Sequence, residues 1–159
     1  MYWIETRKVN LSLDESQQKE IFNIWMNPVY TSDSYKNKVI ERFKSHFVKT
    51  CCESTKHMLE EIKFVYEEKK KGIKIISFSG RLGNEDELFS RVAHIIKPGS
   101  FVTFKGEDGD IFGWFFKGEI IHYSSYAELK KLLEPFELKK SLDKELSTKE
   151  ITTKIRIKV

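Results

Sequence analysis

Only two of the 159 residues are cysteine, three are proline and two are alanine, Ala93 and Ala127. The thiols Cys51 and Cys52 are adjacent, so they build no disulfide framework and suit a reducing compartment. No uncharged run nears the roughly 18 residues that a membrane span needs. The opening Met1-Tyr2-Trp3-Ile4 turns polar at Glu5 and lacks the apolar centre of a signal peptide. A cytoplasmic protein is expected. Charge of one sign is also scarce, because 28 Lys and Arg against 24 Asp and Glu leave only +4. That is too little to argue nucleic-acid binding from the overall field, and it is the wrong sign for an acidic DNA mimic. What is present, 40% hydrophobic and 33% charged residues, suffices for one domain with its own core.

Strand formers fill Trp3 to Leu11, and Ser12 with Glu15 reads as a capping box for a helix from Leu13 to Met26, stopped by Asn27-Pro28. Trp25 on that helix is assigned to the core. Asp33 is the expected N-cap of a long helical pattern carried by Val39, Phe43, Phe47, Cys51, Met58, Ile62 and Val65. Uninterrupted up to Gly72 it would reach about 55 Å. Two helices broken near Thr50, where Thr50 and Glu53 form another capping box, are preferred.

Beyond Lys69-Lys70-Lys71-Gly72 the pattern becomes a strand, Ile73 to Ser79, then a turn, Gly80 to Gly83, and a helix capped at Asn84 that ends at Lys97-Pro98-Gly99. Its apolar stripe is Leu88, Phe89, Val92, Ile95 and Ile96. Three strands follow, Phe101 to Lys105, Ile111 to Lys117 and Glu119 to Tyr123, joined by the hairpin dipeptides Asp108-Gly109 and Lys117-Gly118. Tyr126 and Ala127 open a helix that Pro135 interrupts, and Ile151 to Val159 alternates as a closing strand with Lys154, Arg156 and Lys158 on its wet face. The expected whole is a single α+β domain over residues 1–159: an N-terminal strand and helices, a β-α-β-β-β antiparallel meander, a C-terminal helix and a closing strand. Lys69 to Gly72 is the one plausible seam, between a helical half and a β-meander half.

Chemistry-bearing residues are sparse. His46 with Cys51 and Cys52 with His57 are each five apart, about 140° round a helix, which is poor spacing for a nucleophile and its base. Glu53, His57 and Glu61 are four apart and share a helical face, yet a metal normally draws ligands from a second element as well, so a solvated stripe is the preferred reading. Gly80-Arg81-Leu82-Gly83 matches neither phosphate-loop fingerprint, and Glu85, Asp86 and Glu87 behind it would repel an anion. His94 and His122 have no evident partner. Neither an enzyme nor a cofactor is expected, although a site assembled from distant residues stays open.

Two binding surfaces remain. Glu107, Asp108 and Asp110 on a hairpin tip would dock electrostatically against a basic protein surface. Lys154, Arg156 and Lys158 would contact phosphates, although lysines on a strand also serve to blunt an exposed edge. Tyr2, Trp3, Trp114, Phe115 and Phe116 add aromatics that are mostly assigned to packing; because Phe112, Trp114 and Phe116 alternate with Ile111, Gly113 and Phe115, both faces of the meander need cover.

The Ala-poor, Lys- and Ile-rich composition is that of proteins from AT-rich genomes. Together with DESQQKEIFNIWMN (Asp14 to Asn27) and ISFSGRLGNEDELFSRVAHIIKPGSFVTFKGEDGDIFGWFFKGEI (Ile76 to Ile120), it resembles small phage- and mobile-element-encoded proteins of staphylococci, and among them type II-A anti-CRISPR proteins. Those proteins share no general motif, so no residue role is carried over by position. The resemblance implies a non-enzymatic inhibitor that binds the Cas9–guide RNA complex and blocks target DNA cleavage, a form of host defence evasion. The alternative is an accessory phage or plasmid nucleic-acid-binding protein that uses the basic C-terminal strand.

Overall fold

Strand β1 (Ile4–Asp14) places Leu11 and Leu13 inward while Asn10, Ser12 and Asp14 stay exposed, the period-two pattern of a strand with one buried face. The computed structural model describes residues 3–81 and 83–157. The chain divides into two units, Met1–Ser125 and Tyr126–Val159. The first is an α+β unit built on a six-stranded antiparallel sheet in the order β2-β3-β1-β4-β5-β6, with β2 (Phe64–Lys69), β3 (Gly72–Gly80), β4 (Phe101–Gly106), β5 (Ile111–Phe116) and β6 (Ile120–Tyr123). The described residues of the second form one helix, α5 (Tyr126–Ile157).

The meander β4-β5-β6 forms as its hairpin dipeptides indicate. The N-terminal strand becomes the middle of the sheet, pairing Leu11 with Ile75 on one side and Val9 with Val102 on the other. Both Ser12 and Asp14 remain in the ladder, Asp14 opposite Gly72, so the capping box shifts two residues from the expected Ser12–Glu15. Asp14 Oδ1 accepts from Gln17 N and Gln17 Oε1 accepts from Asp14 N, both at 2.8 Å, and helix α1 (Glu15–Met26) starts there.

Asp33 caps α2 (Ser34–Lys49) as expected, its Oδ1 accepting from the amides of Tyr35 and Lys36. The long helical pattern does break near Thr50, which ends α2, while Cys51 takes a left-handed φ of 54°. Thr50 and Glu53 do not cap the next helix, because Ser54 does so by accepting from His57 N, and α3 runs over Thr55–Glu61. Helix does not continue to Gly72. Lys63, at φ 71°, ends the coil, and the chain becomes β2, whose Phe64 pairs with Phe78. Lys70 and Lys71, within the expected seam, form the tight turn between β2 and β3. Gly72 is required after it, since a Cβ there would lie 2.7 Å from the Asp14 Cα.

Helix α4 (Glu85–Ser90) stops short of Lys97, tightening into i to i−3 turns at Val92, Ala93 and Ile95. The expected face is buried all the same: Leu88, Phe89, Val92 and Ile96 are fully enclosed. The core is an aromatic relay from helices to sheet. Trp25 stacks on Phe47 at 6.1 Å and meets Phe89 edge-on at 5.5 Å, and Phe89 packs on Phe64 and Trp114. Trp25 Nε1 donates to Leu88 O at 3.0 Å, so its burial strands no donor. On the other side of the meander Phe115 and Tyr123 are also buried. The Tyr123 hydroxyl donates to Val102 O at 3.0 Å and lies 2.6 Å from Thr103 Oγ1.

The C-terminal expectations are corrected. Pro135 lies inside α5 rather than interrupting it, and residues 151–157 are helical rather than a closing strand. Alternation alone does not make a strand, which needs a partner for its ladder. No described strand pairs with this segment. A helix that is already nucleated gains one hydrogen bond per added residue, which outweighs the few tenths of a kcal/mol, roughly, that each β-branched residue costs.

Candidate functional site

The acidic residues sit where expected, on the β4–β5 tip. Gly106 N donates to Asp110 O and Gly109 N to Gly106 O, both at 2.9 Å, while Asp110 N donates to Asp108 Oδ1 at 3.2 Å. Gly109, at φ 91°, supplies the left-handed residue that the turn needs. Glu107, Asp108 and Asp110 are all exposed, so the tip presents three carboxylates on a hydrogen-bonded frame. Glu107 N also donates to Trp3 O at 3.0 Å, and the Trp3 side chain is 50% exposed. An exposed indole beside the acidic tip was not legible from spacing, because a pairing across about a hundred residues brings it there. Trp114 and Phe116, by contrast, belong to the core.

The basic trio is not brought together as a strand face. Lys154 and Arg156 lie in α5, and Lys158, like Val159, Tyr2 and Leu82, lies outside the described residues.

A second polar constellation forms where α2, α3 and the β3–α4 connection meet. Arg42, His46, Glu61, Lys63, Arg81 and Glu85 line a cleft of about 390 Å³. Glu61 accepts from His46 Nε2 at 3.2 Å and faces His57 Nε2 at 3.5 Å. Glu53 precedes α3, so the expected Glu53–His57–Glu61 helical face does not exist. His46 is engaged with Glu61, not with a thiol. Glu85 is buried, and its carboxylate accepts from Gly83 N, occupying an amide that a bound anion would want. Burial, ahead of its backbone hydrogen bonds, pushes the Glu85 carboxyl above its ordinary value. Burial likewise raises the Cys52 thiol, whereas Cys51 is exposed. Tyr66 is pushed up to about 12 by burial and by its hydrogen bond to Glu60. His94 and His122 are solvent-exposed. No group of three or more metal-ligating side chains is present among the described residues.

Among the described residues no helix is long and apolar enough to cross a membrane. No protein-family model, no curated protein and no solved structure matches the chain.

Proposed function

We propose that this chain is a non-enzymatic binding protein that docks its β4–β5 tip on a basic protein surface, and that the surface belongs to a Cas9–guide RNA complex whose cleavage of target DNA it blocks. The observation that supports this reading is the tip itself: three exposed carboxylates on one hydrogen-bonded turn, with the exposed Trp3 tied to it through the bond from Glu107 N to its carbonyl. Carboxylates steer the approach to a basic channel, and a Trp beside them is the side chain most often found to carry binding energy. The resemblance to type II-A anti-CRISPR proteins selects Cas9 among nucleases with such a channel.

The test is target-DNA cleavage by a staphylococcal Cas9–guide complex with increasing amounts of the protein, beside a gel shift on the same duplex without Cas9. Dose-dependent loss of cleavage with no duplex shift is the expected result. Replacing Glu107, Asp108 and Asp110 with Lys should slow association about tenfold or more at low salt. Undiminished cleavage removes Cas9 as the target, and an association rate unchanged by the three reversals removes the tip as the docking element.

A further inference from the structure

Helix α2 carries five Lys and Arg and a single carboxylate, Glu41. They are not scattered. Tyr35, Lys38, Arg42, Ser45 and Lys49 recur at intervals of three and four, which places them on one helical face, and all five are exposed. Val39, Ile40 and Phe47 take the buried side. Lys38 and Arg42, four apart, repel one another, a local cost that a merely solvated helix avoids by alternating signs. The face continues off the helix, because the cleft at Arg42 also includes Lys63 and Arg81.

The cations here form no ion pairs, and of the acids lining the cleft at Arg42 both are engaged elsewhere. None of Lys38, Arg42, Lys49, Lys63 and Arg81 makes a side-chain ion pair among the described residues. Glu61 is held by His46, and Glu85 is folded onto Gly83 N. Tyr35 is 63% exposed and Tyr30 54%. Thr31 N donates to Asn37 Oδ1 and Asn37 Nδ2 donates to Thr31 O, tying the segment next to Tyr30 to the first turns of α2.

We infer that this face binds single-stranded nucleic acid. A 16-residue helix is about 24 Å long, enough to run beside several phosphates of a single strand. Its unpaired cations follow the backbone, and the exposed tyrosine rings at one end offer platforms on which unpaired bases stack, which a duplex does not present. A single strand uses both features at once, its phosphates meeting the cations and its bases the rings; an acidic protein is the competing occupant that the polyglutamate arm tests. This inference does not rest on the acidic-tip reading, which concerns other residues and the opposite charge.

The experiment is fluorescence anisotropy of the full chain with labelled oligothymidylate and oligouridylate of about 15 nucleotides, a duplex of the same length, and polyglutamate as competitor. Five phosphate contacts, one for each unpaired cation, predict that single-strand affinity falls about 130-fold between about 50 and 200 mM salt. The double variant Lys38→Gln/Arg42→Gln should lower the salt slope by about two fifths. Tyr35→Ala should weaken binding about tenfold without changing that slope. Glu41→Lys should tighten binding, an outcome that no folding defect produces. Absence of binding at low salt overturns the inference, as does an unchanged slope in the double variant. A duplex or polyglutamate bound as tightly as the single strands overturns it too, assigning the face to shape-read duplex or to an acidic protein. Tip reversals that abolish Cas9 inhibition but leave oligonucleotide binding intact, or the converse, separate the two readings.

Discussion

Replacing Gly113 with Ala should be a highly damaging single methyl addition in the β4-β5-β6 meander. Gly113 pairs with Tyr123, and a Cβ there would lie 2.5 Å from Val102 O and inside contact distance of the Tyr123 ring and hydroxyl. The ring is 3% exposed and is held by the hydroxyl's bonds to Val102 O and Thr103 Oγ1, while Thr103 is itself fully buried. Displacing the ring forfeits about 2 kcal/mol of burial and leaves hydrogen-bonding groups unpaired at about 1–3 kcal/mol. The expected loss is about 4 kcal/mol, or a Tm lower by about 15 °C for a unit of this size. Gly109→Ala is the contrast. It meets no atom within 4 Å and is strained only by its φ of 91°, so it should cost about 1–2 kcal/mol. Urea denaturation of both variants reads the difference. A Gly113→Ala loss no larger than that of Gly109→Ala would refute the reasoning, because ring and carbonyl would then be making room at little cost.

Three further outcomes are expected. Trp25→Phe keeps a ring between Phe47 and Phe89 but deprives the buried Leu88 carbonyl of its 3.0 Å donor, at about 2 kcal/mol by urea denaturation. The Glu85 carboxyl binds its proton more tightly folded than unfolded, so its contribution to stability is greatest at low pH and is lost as pH rises from about the ordinary 4.5 through the folded value. Glu85→Gln stays neutral and should gain on the native protein across that window before the difference levels off; a flat difference in denaturation curves against pH would remove the burial effect. Native protein with iodoacetamide near neutral pH should take one equivalent quickly, at the exposed Cys51, and the second at Cys52 only on unfolding, read by intact mass.

The net charge of +4 conceals two local extremes, an acidic hairpin tip and a basic helix face, both in the first unit. Their signs nearly cancel in the total. Fields at a surface decay within about 10 Å at ordinary ionic strength, so a partner meets the local charge and not the sum.

Much of the fold is legible in short stretches of sequence, because the signals act within a few residues. Asp33 caps its own helix, the dipeptides at Asp108 and Lys117 turn their own hairpins, and the stripe from Leu88 to Ile96 marks a buried face even where regular helix gives way to tighter turns. The acidic tip was legible for the same reason. Tertiary structure decided what depends on distant partners. Phe64 to Lys69 fits the end of a helix until Phe78 is there to pair with it, and the terminal alternation reads as a strand although no described strand pairs with it. Ser12 lost its cap to Asp14 because Gly72 extended the ladder past it. Trp3 beside the tip, and Lys63 and Arg81 beside Arg42, are likewise products of long-range pairing and packing. Sequence thus sets which segments coil, extend or turn, through local dihedral and capping energies, while the choice among near-equal local states falls to the partner that buries the segment or completes its hydrogen bonds.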